Sequence, residues 1–319
     1  MNILKLLREK YLEGKNISLY IKEHKELFNK QNISQSDAIA LSYDLQSGTY
    51  LEEYLQNESF FKNRHEYIVD AINDVNIFND LKNRNSPITI CDMGTGEATN
   101  FQEIIEQSKF KYDIDLDSYA MDISLSRLSV AKKFIASRKT KIIPPKLFLG
   151  NLTSIPLLEN SINIVCTSGA IESNKGLEAQ IVDEITRVCS DYLVIVEPIY
   201  ETASEQQRAR MDKYNYITKL KTEIENHSQL DLIKEILIPL ELHLNPLNQG
   251  SLLIARKKTS KNFTNYCSEE KFACPIGRDK LLNYDNYLLS KSGACYPIIE
   301  NIPILLAKSM IPFYHRLQN

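Results

Sequence analysis

The chain has 319 residues, with 38 Lys+Arg against 41 Asp+Glu for a net charge of −3, and is 43% hydrophobic and 25% charged. This is the composition of a soluble globular protein with length for about two domains. No run of about 18 apolar residues occurs, so a membrane-spanning helix is excluded, and the near-neutral balance gives no global field for nucleic acid.

The N-terminal MNILKLLREKYLEGK mixes charges into its apolar positions and lacks the apolar core of a signal peptide, so export is not expected. Leu4, Leu7, Tyr11 and Leu12 fit one helical face, and Tyr20, Ile21, His24 and Leu27 another. Residues 1–85 read as a helical extension that caps something else, because few of its residues would make an independent core. From Pro87 the texture changes to short apolar strands alternating with amphipathic helices. ITICDMG, SYAMDIS, KLFLGN, SINIVCTSG and DYLVIVEP are strands; TNFQEIIEQ, LSRLSVAKKFIAS and QIVDEITRVC are helices. Alternation of this kind predicts a parallel sheet with right-handed crossovers and both faces covered. After a helical stretch at 201–227, LIKEILIPLELHLNP and SLLIARK follow with no helix between them. They predict an antiparallel pair joined at NPLNQG. Arg256, Lys257, Lys258 and Lys261 read as a basic linker to a small β-rich unit at 265–309, which should dock on its neighbour because so short a piece buries little core.

Of the ten glycines, Gly94 and Gly96 stand together where the most strand-like segment ends, in Asp92-Met93-Gly94-Thr95-Gly96-Glu97-Ala98. Two positions without Cβ at a strand-to-helix turn let a ligand approach the main chain at a positive helix N-terminus; the alternative is a tight turn with no ligand. A dinucleotide fingerprint would place a third glycine where Thr99 stands, and Glu97 puts a negative charge where a pyrophosphate would lie, with no Lys or Arg offsetting it locally. A ligand without phosphates suits the site.

This segment resembles motif I of class I S-adenosylmethionine (SAM)-dependent methyltransferases, and the resemblance continues in order for about 165 residues. It implies a seven-stranded, mostly parallel Rossmann-like α/β sheet with an antiparallel last hairpin over 86–258, and SAM as cofactor. Asp92, Gly94 and Gly96 would form the cofactor loop. Asp122 would take both ribose hydroxyls, with helix N-cap as its other reading. Ile123 would pack on adenine. Asn151 and Leu152 would lie beside it, Asn151 replacing the family's usual Asp and reading otherwise as a loop residue. Ser168 would end the fourth strand beside the methyl donor.

Methyl transfer needs mainly in-line alignment, with a general base where the nucleophile is a hydroxyl or ammonium. Candidates at the C-terminal strand ends are Glu172, Glu197 and Tyr200; Glu172 and the neighbouring Glu201 read otherwise as solvated helix-start acids. His65 and His243 read as structural. Tyr43 and Tyr50, in the extension, would offer ring faces to a sulfonium or simply pack a helix on the sheet.

FACPIGRDKLL with ACYPIIENIPILL resembles the small zinc-ribbon-like activator subunit of tRNA, rRNA and release-factor methyltransferases. Gly277 stands where the second zinc ligand belongs, leaving Cys267, Cys274 and Cys295, so no metal is expected. Cys91, Cys166 and Cys189 read as buried thiols, and the whole set as reduced cysteines of a cytoplasmic protein. The leading expectation is a SAM-dependent methyltransferase of a small-molecule acceptor such as a sugar, acting by O-methylation. The alternatives are an RNA or protein methyltransferase with a fused activator-like unit, and a non-catalytic SAM-binding or assembly protein. No basic stripe with interleaved aromatics points to nucleic acid, and a homodimer stays open.

Overall fold

The strand Ile88–Met93 (β1) is buried along its whole length, as a continuous apolar run at the centre of a parallel sheet must be. The structure, a computed structural model, describes residues 3–29, 33–82, 87–258 and 271–314. β1 pairs in parallel with Leu116–Asp122 (β2) and Ile162–Ser168 (β4). With Lys146–Leu149 (β3), Cys189–Glu197 (β5), Leu230–Leu237 (β6) and Ser251–Lys257 (β7) they form one seven-stranded sheet in the order β3-β2-β1-β4-β5-β7-β6. β7 runs antiparallel between β5 and β6. This is the Rossmann-like arrangement with an antiparallel last pair that the sequence implied.

Strand alternation divides the apolar side chains between two cores. Ile90, Ala120, Ile164 and Val194 face helices Thr99–Tyr112 (α8) and Leu125–Ser137 (α9). Cys91, Met121, Val165 and Leu193 face Glu178–Val188 (α10) and Leu220–Asn226 (α12).

The N-terminal extension divides in two. Helices Glu58–Asp74 (α6) and Ile77–Lys82 (α7) bury Ile68, Val69, Ile72, Phe78 and Leu81 in the first core, so they belong to the sheet's helical layer. The cap proper is Ile3–Leu12 (α1), Ile17–Glu23 (α2), Lys25–Asn29 (α3), Gln35–Leu45 (α4) and Thr49–Gln56 (α5). It has its own core of Leu7, Ile17, Ile21 and Phe28. On α1 only Leu7 of the expected face is fully buried; Leu4 and Leu12 are exposed.

Two further expectations are corrected. β6 stops at Leu237 because Pro239 has no N–H for a ladder; single 3₁₀ turns at Leu240–Leu242 and Pro246–Asn248 lead to β7 instead of a short hairpin loop. Lys257 is no linker residue. Its buried ammonium donates to Asn160 Oδ1 (2.6 Å) and to the carbonyls of Thr186 (2.6 Å) and Cys189 (2.9 Å). Lys261 and Cys267 lie outside the described residues.

The C-terminal unit is a small antiparallel sheet built on Leu281–Tyr284, Tyr287–Ser290 and Ala294–Ile299. It covers the β3 edge: Leu305 N–H donates to the Leu149 carbonyl (2.9 Å), and Ala273 N–H to that of Pro156 (3.0 Å). Edge strands invite foreign pairing, so this cover protects the sheet. Gly277 N–H donates to Cys274 Sγ (3.2 Å) and the Tyr296 hydroxyl lies 3.3 Å from that sulfur. Among the described residues no group of three His, Cys, Asp or Glu is placed to hold a metal. Phe148, fully buried on β3, meets the ring of Phe272 at 5.2 Å and so joins the two units. Phe148→Ala is expected to lower the unfolding free energy by about 3–5 kcal/mol in a urea titration; a loss under about 1 kcal/mol would show that the C-terminal unit settles into the gap.

Candidate active site

The strand order reverses between β1 and β4, so their C-terminal ends diverge and open the crevice where open α/β sheets place ligands. There the chain turns from β1 through Gly94 (φ +88°), Gly96 (φ +58°) and Ala98 (φ +59°) into α8. The N–H groups of Gly94 and Thr95 both donate to the Met121 carbonyl (2.7 and 2.8 Å), fastening the loop to β2. Asp92, beneath the loop, is buried, and burial pushes its carboxyl up to about 7. Asp122 Oδ2 accepts the Gly96 N–H (2.7 Å) and Oδ1 the Ser124 N–H (2.8 Å). The N-cap of α9 is Ser124, whose hydroxyl accepts the Arg127 N–H (3.1 Å), so that reading of Asp122 does not hold.

Gly94, Asp122, Ile123, Asn151 and Leu152 line one small cavity of about 50 Å³, room for a few waters only. Asn151 turns its oxygen onto its own loop, accepting from Thr153 N–H and hydroxyl (both 3.0 Å), while its amide donates to Ser36 Oγ on the cap (3.1 Å). A Cβ on Gly94 would collide with that of Ala170, and one on Gly96 with Arg127 Nη2. The missing Cβ atoms are thus filled by neighbours from the loop after β4 and from α9.

Arg127 is the residue that sequence reasoning missed, and it corrects the expectation that no cation stands at the loop. Its guanidinium lies 5.0 Å from the Tyr43 ring and 4.4 Å from the Tyr50 ring, in the place those rings would offer to a sulfonium. Its Nε is 3.8 Å from Glu97 Oε1. Glu97, with no exposed side chain, accepts the cap amides of Gly48 (2.8 Å) and Leu51 (2.6 Å) at the start of α5. Asp44 accepts from Ser124 Oγ (2.6 Å) and Ser126 N–H (3.2 Å), and the Tyr43 hydroxyl meets Ser173 Oγ (3.2 Å). The cap is closed down on the loops that follow β1, β2, β3 and β4.

Beyond the loop are two larger cavities. One of about 530 Å³ lies over the ends of β4 and β5, lined by Ser168, Glu172, Glu197, Arg64, Arg210 and Tyr50. The other, about 580 Å³, lies under α2–α4 and shares Gln46, Tyr50, Glu172 and Arg210 with it. With Gln46, Tyr50 and Arg210, Glu172 is therefore part of the wall between them. Burial, then the nearby Glu197 carboxyl, pushes it up to about 8. Glu197 is fully buried and raised to about 7 by burial; its Oε1 accepts the Ala170 (2.8 Å) and Ile171 (3.0 Å) amides, which braces the β4 loop. Tyr200 stands apart. Its hydroxyl donates to Asp212 (3.1 Å) and it lines neither cavity. His65 donates from Nδ1 to the Phe61 carbonyl (2.7 Å) and its Nε2 has no partner among the described residues, whereas His243 lines the cavity over β4 and β5 together with Arg64. A further groove of about 730 Å³ lies against the start of β3 and the C-terminal unit, at the opposite end of the strands.

No family model and no curated protein matches this chain by sequence. Solved structures resemble it at low identity. A magnesium protoporphyrin IX methyltransferase from Synechocystis PCC 6803 with bound SAH is 10% identical over 68% of this chain and 98% of its own, with a TM-score of 0.48. A SAM-dependent methyltransferase from Methanosarcina mazei is 14% identical over 56% and 97%, with a TM-score of 0.45. A chain from the complex of a Haloferax volcanii methyltransferase activator with a methyltransferase is 12% identical over 56% and 86%, with a TM-score of 0.41.

Glu97→Gln removes an acceptor from one cap amide and leaves the Arg127 charge unmatched, a loss expected to cost about 3 kcal/mol. Amide hydrogen exchange should rise over residues 37–51 while β1 and β4 stay protected; an even rise across both would show cap and sheet opening as one unit. The three raised acids give a second expectation. Folded Asp92, Glu172 and Glu197 keep protons at pH values where the unfolded chain has lost them. The folded state thus binds more protons between roughly pH 4 and pH 8, and stability falls as pH rises through that window. Melting temperatures from about pH 5 to 9 should show the fall, and Glu172→Gln should flatten its upper part.

Proposed function

We propose that this chain is a SAM-dependent methyltransferase acting on a small-molecule acceptor. The observation that carries the proposal is the meeting of a left-handed glycine turn after β1 with a carboxylate at the end of β2, Gly96 N–H to Asp122 at 2.7 Å. A vicinal diol is met by a carboxylate with free lone pairs, and each Asp122 oxygen has one to spare. Gly94 and Gly96 would take the cofactor along the main chain, Ile123 and Leu152 would flank its base, and Ser168 would face its methyl end. Arg127, the cation at the loop, is matched by Glu97, so its charge is not left over for a phosphate. These residue types fit the cofactor, and the closed cap leaves it no room. Arg127 and the segment from Tyr43 to Tyr50 have to leave Gly96 before it binds.

When bound, the cofactor supplies an electrophilic methyl group; the residues here orient the acceptor and handle its proton. Glu172 is placed for the proton, between two cavities of a size typical for small ligands. With its carboxyl raised to about 8, it takes a hydroxyl proton from the acceptor most effectively in mildly alkaline solution. O-methylation is the reaction we assign on that basis. The C-terminal unit, in this proposal, is structural cover for β3.

A second reading, a protein that keeps the fold without using the cofactor, is favoured by the 50 Å³ cavity and by Arg127 on Gly96. Calorimetry separates them. SAM should bind the wild-type chain, bind at least about tenfold more weakly to Asp122→Asn, and bind more tightly to Arg127→Ala, a tenfold change being about 1.4 kcal/mol. No heat from SAM with either the wild type or Arg127→Ala would end the methyltransferase proposal. With label transfer in hand, the rate should climb with pH toward a plateau above about 8, and Glu172→Gln should remove that climb while leaving SAM affinity unchanged.

A further inference from the structure

We propose that the acceptor is an organic anion, its carboxylate or phosphate group held by Arg64 and Arg210 in the cavity over β4 and β5. This rests on the methyltransferase reading for the word acceptor, but the anion site itself does not depend on it. Arg64 reaches the cavity from α6, and its Nε is buried with no hydrogen-bond partner among the described residues. No carboxylate of the described chain forms an ion pair with it. Burial alone depresses it to about 10, with no neighbouring acid raising it. A guanidinium is too costly to desolvate without a counterion unless one arrives from outside.

Arg210, on Glu205–Tyr214, lines the same cavity and also lacks a carboxylate within ion-pair distance among the described residues. Asn248 Oδ1 accepts from its Nη1 (2.7 Å), and the rings of Tyr214 (5.0 Å) and Tyr216 (5.5 Å) hold its plane. It is positioned by uncharged groups, which leaves its charge unneutralised. His243, on the same wall, is pushed down to about 4 by burial and then by Arg64, so it is neutral there; its buried Nε2 has no partner among the described residues. Against these stand Glu172, raised to about 8 and so protonated at neutrality, Glu197, raised to about 7 and so only partly ionised there, and Glu53 on the exposed rim. Phe60, Phe61 and Leu242 share the rest of the lining with Thr49, Thr99 and Asn100, so the body that carries the anionic group meets apolar and hydrogen-bonding surface together. Planar guanidinium forks match carboxylate and phosphate oxygens, and both ligands present that chemistry.

The test uses the full chain with benzoate and inorganic phosphate as probes, by calorimetry without cofactor. Saturable millimolar binding of one probe, weakened at least about tenfold by Arg64→Gln and by Arg210→Gln and partly kept by Arg64→Lys, supports the site; the stronger probe names the anion. Melting temperatures of the variants show that they are folded. Binding of neither probe, or binding indifferent to Arg64→Gln, overturns it. SAM binding without anion binding removes this proposal and leaves methyl transfer standing; anion binding to a chain that takes no SAM does the reverse.

Discussion

The Glu97 carboxylate governs how the rest of the site is built. A charged side chain with no exposure costs several kcal/mol to remove from water, and only good partners repay that. Here the partners are two amides at the first turn of α5 and the guanidinium of Arg127, so the cap, the glycine loop and α9 are tied at one point. Among the described residues the cap's apolar core has four fully buried members, far fewer than the sheet has on either face. Charge and hydrogen bonds therefore hold the cap shut, whereas apolar burial holds the sheet together. The far end of α5 is fastened differently. Buried Tyr54 donates to Glu103 on α8, and Arg138 bridges Glu103 to Glu106 and Glu58. With one end fixed in the helical layer and the other held by polar contacts that water can replace, opening is cheapest at the glycine loop.

The sheet gives those contacts their precision. Because side chains of β1, β2 and β4 alternate between two dry cores, the strand ends cannot shift without moving both. Gly94 abuts Ala170 and Glu197 grips the amides of Ala170 and Ile171, so the crevice between β1 and β4 has a floor fixed from below and from β5. Mobility is thereby confined to the side from which the cap approaches.

Much of this was legible in the sequence, and what was not shares a cause. The strand and helix alternation, the antiparallel last pair and the glycine turn are local patterns in which spacing and composition carry the information. Arg127 was invisible because its partners Tyr43, Tyr50 and Glu97 come from segments with no sequence relation to it. Helices 58–82 looked like part of the extension because their apolar face is no different in kind from that of a cap; only contact with β1 and β5 distinguishes them. Asn151 and Tyr200 sit in the expected segments, but their side chains turn to a loop backbone and to Asp212, a choice that a motif does not encode. The end of β6 could have been read from Pro239, whose missing N–H forbids a continuing ladder.

The raised acids and the unpaired arginines are two aspects of one charge balance. Ionised, Glu172 would attract Arg210 and tie it up in an internal ion pair. Burial keeps Glu172 protonated at neutrality and so leaves the Arg210 guanidinium for a ligand. Arg210 is also a group that lowers the Glu172 pKa. An anion on Arg210 cancels that influence and drives the Glu172 carboxyl higher still. A carboxylate of higher pKa is ionised less often but holds a transferred proton more firmly, so ligand charge and base strength rise together. In the proposed O-methylation, an acceptor bearing an anionic group would thus strengthen the base that takes its proton, and a neutral analogue of the same shape would not.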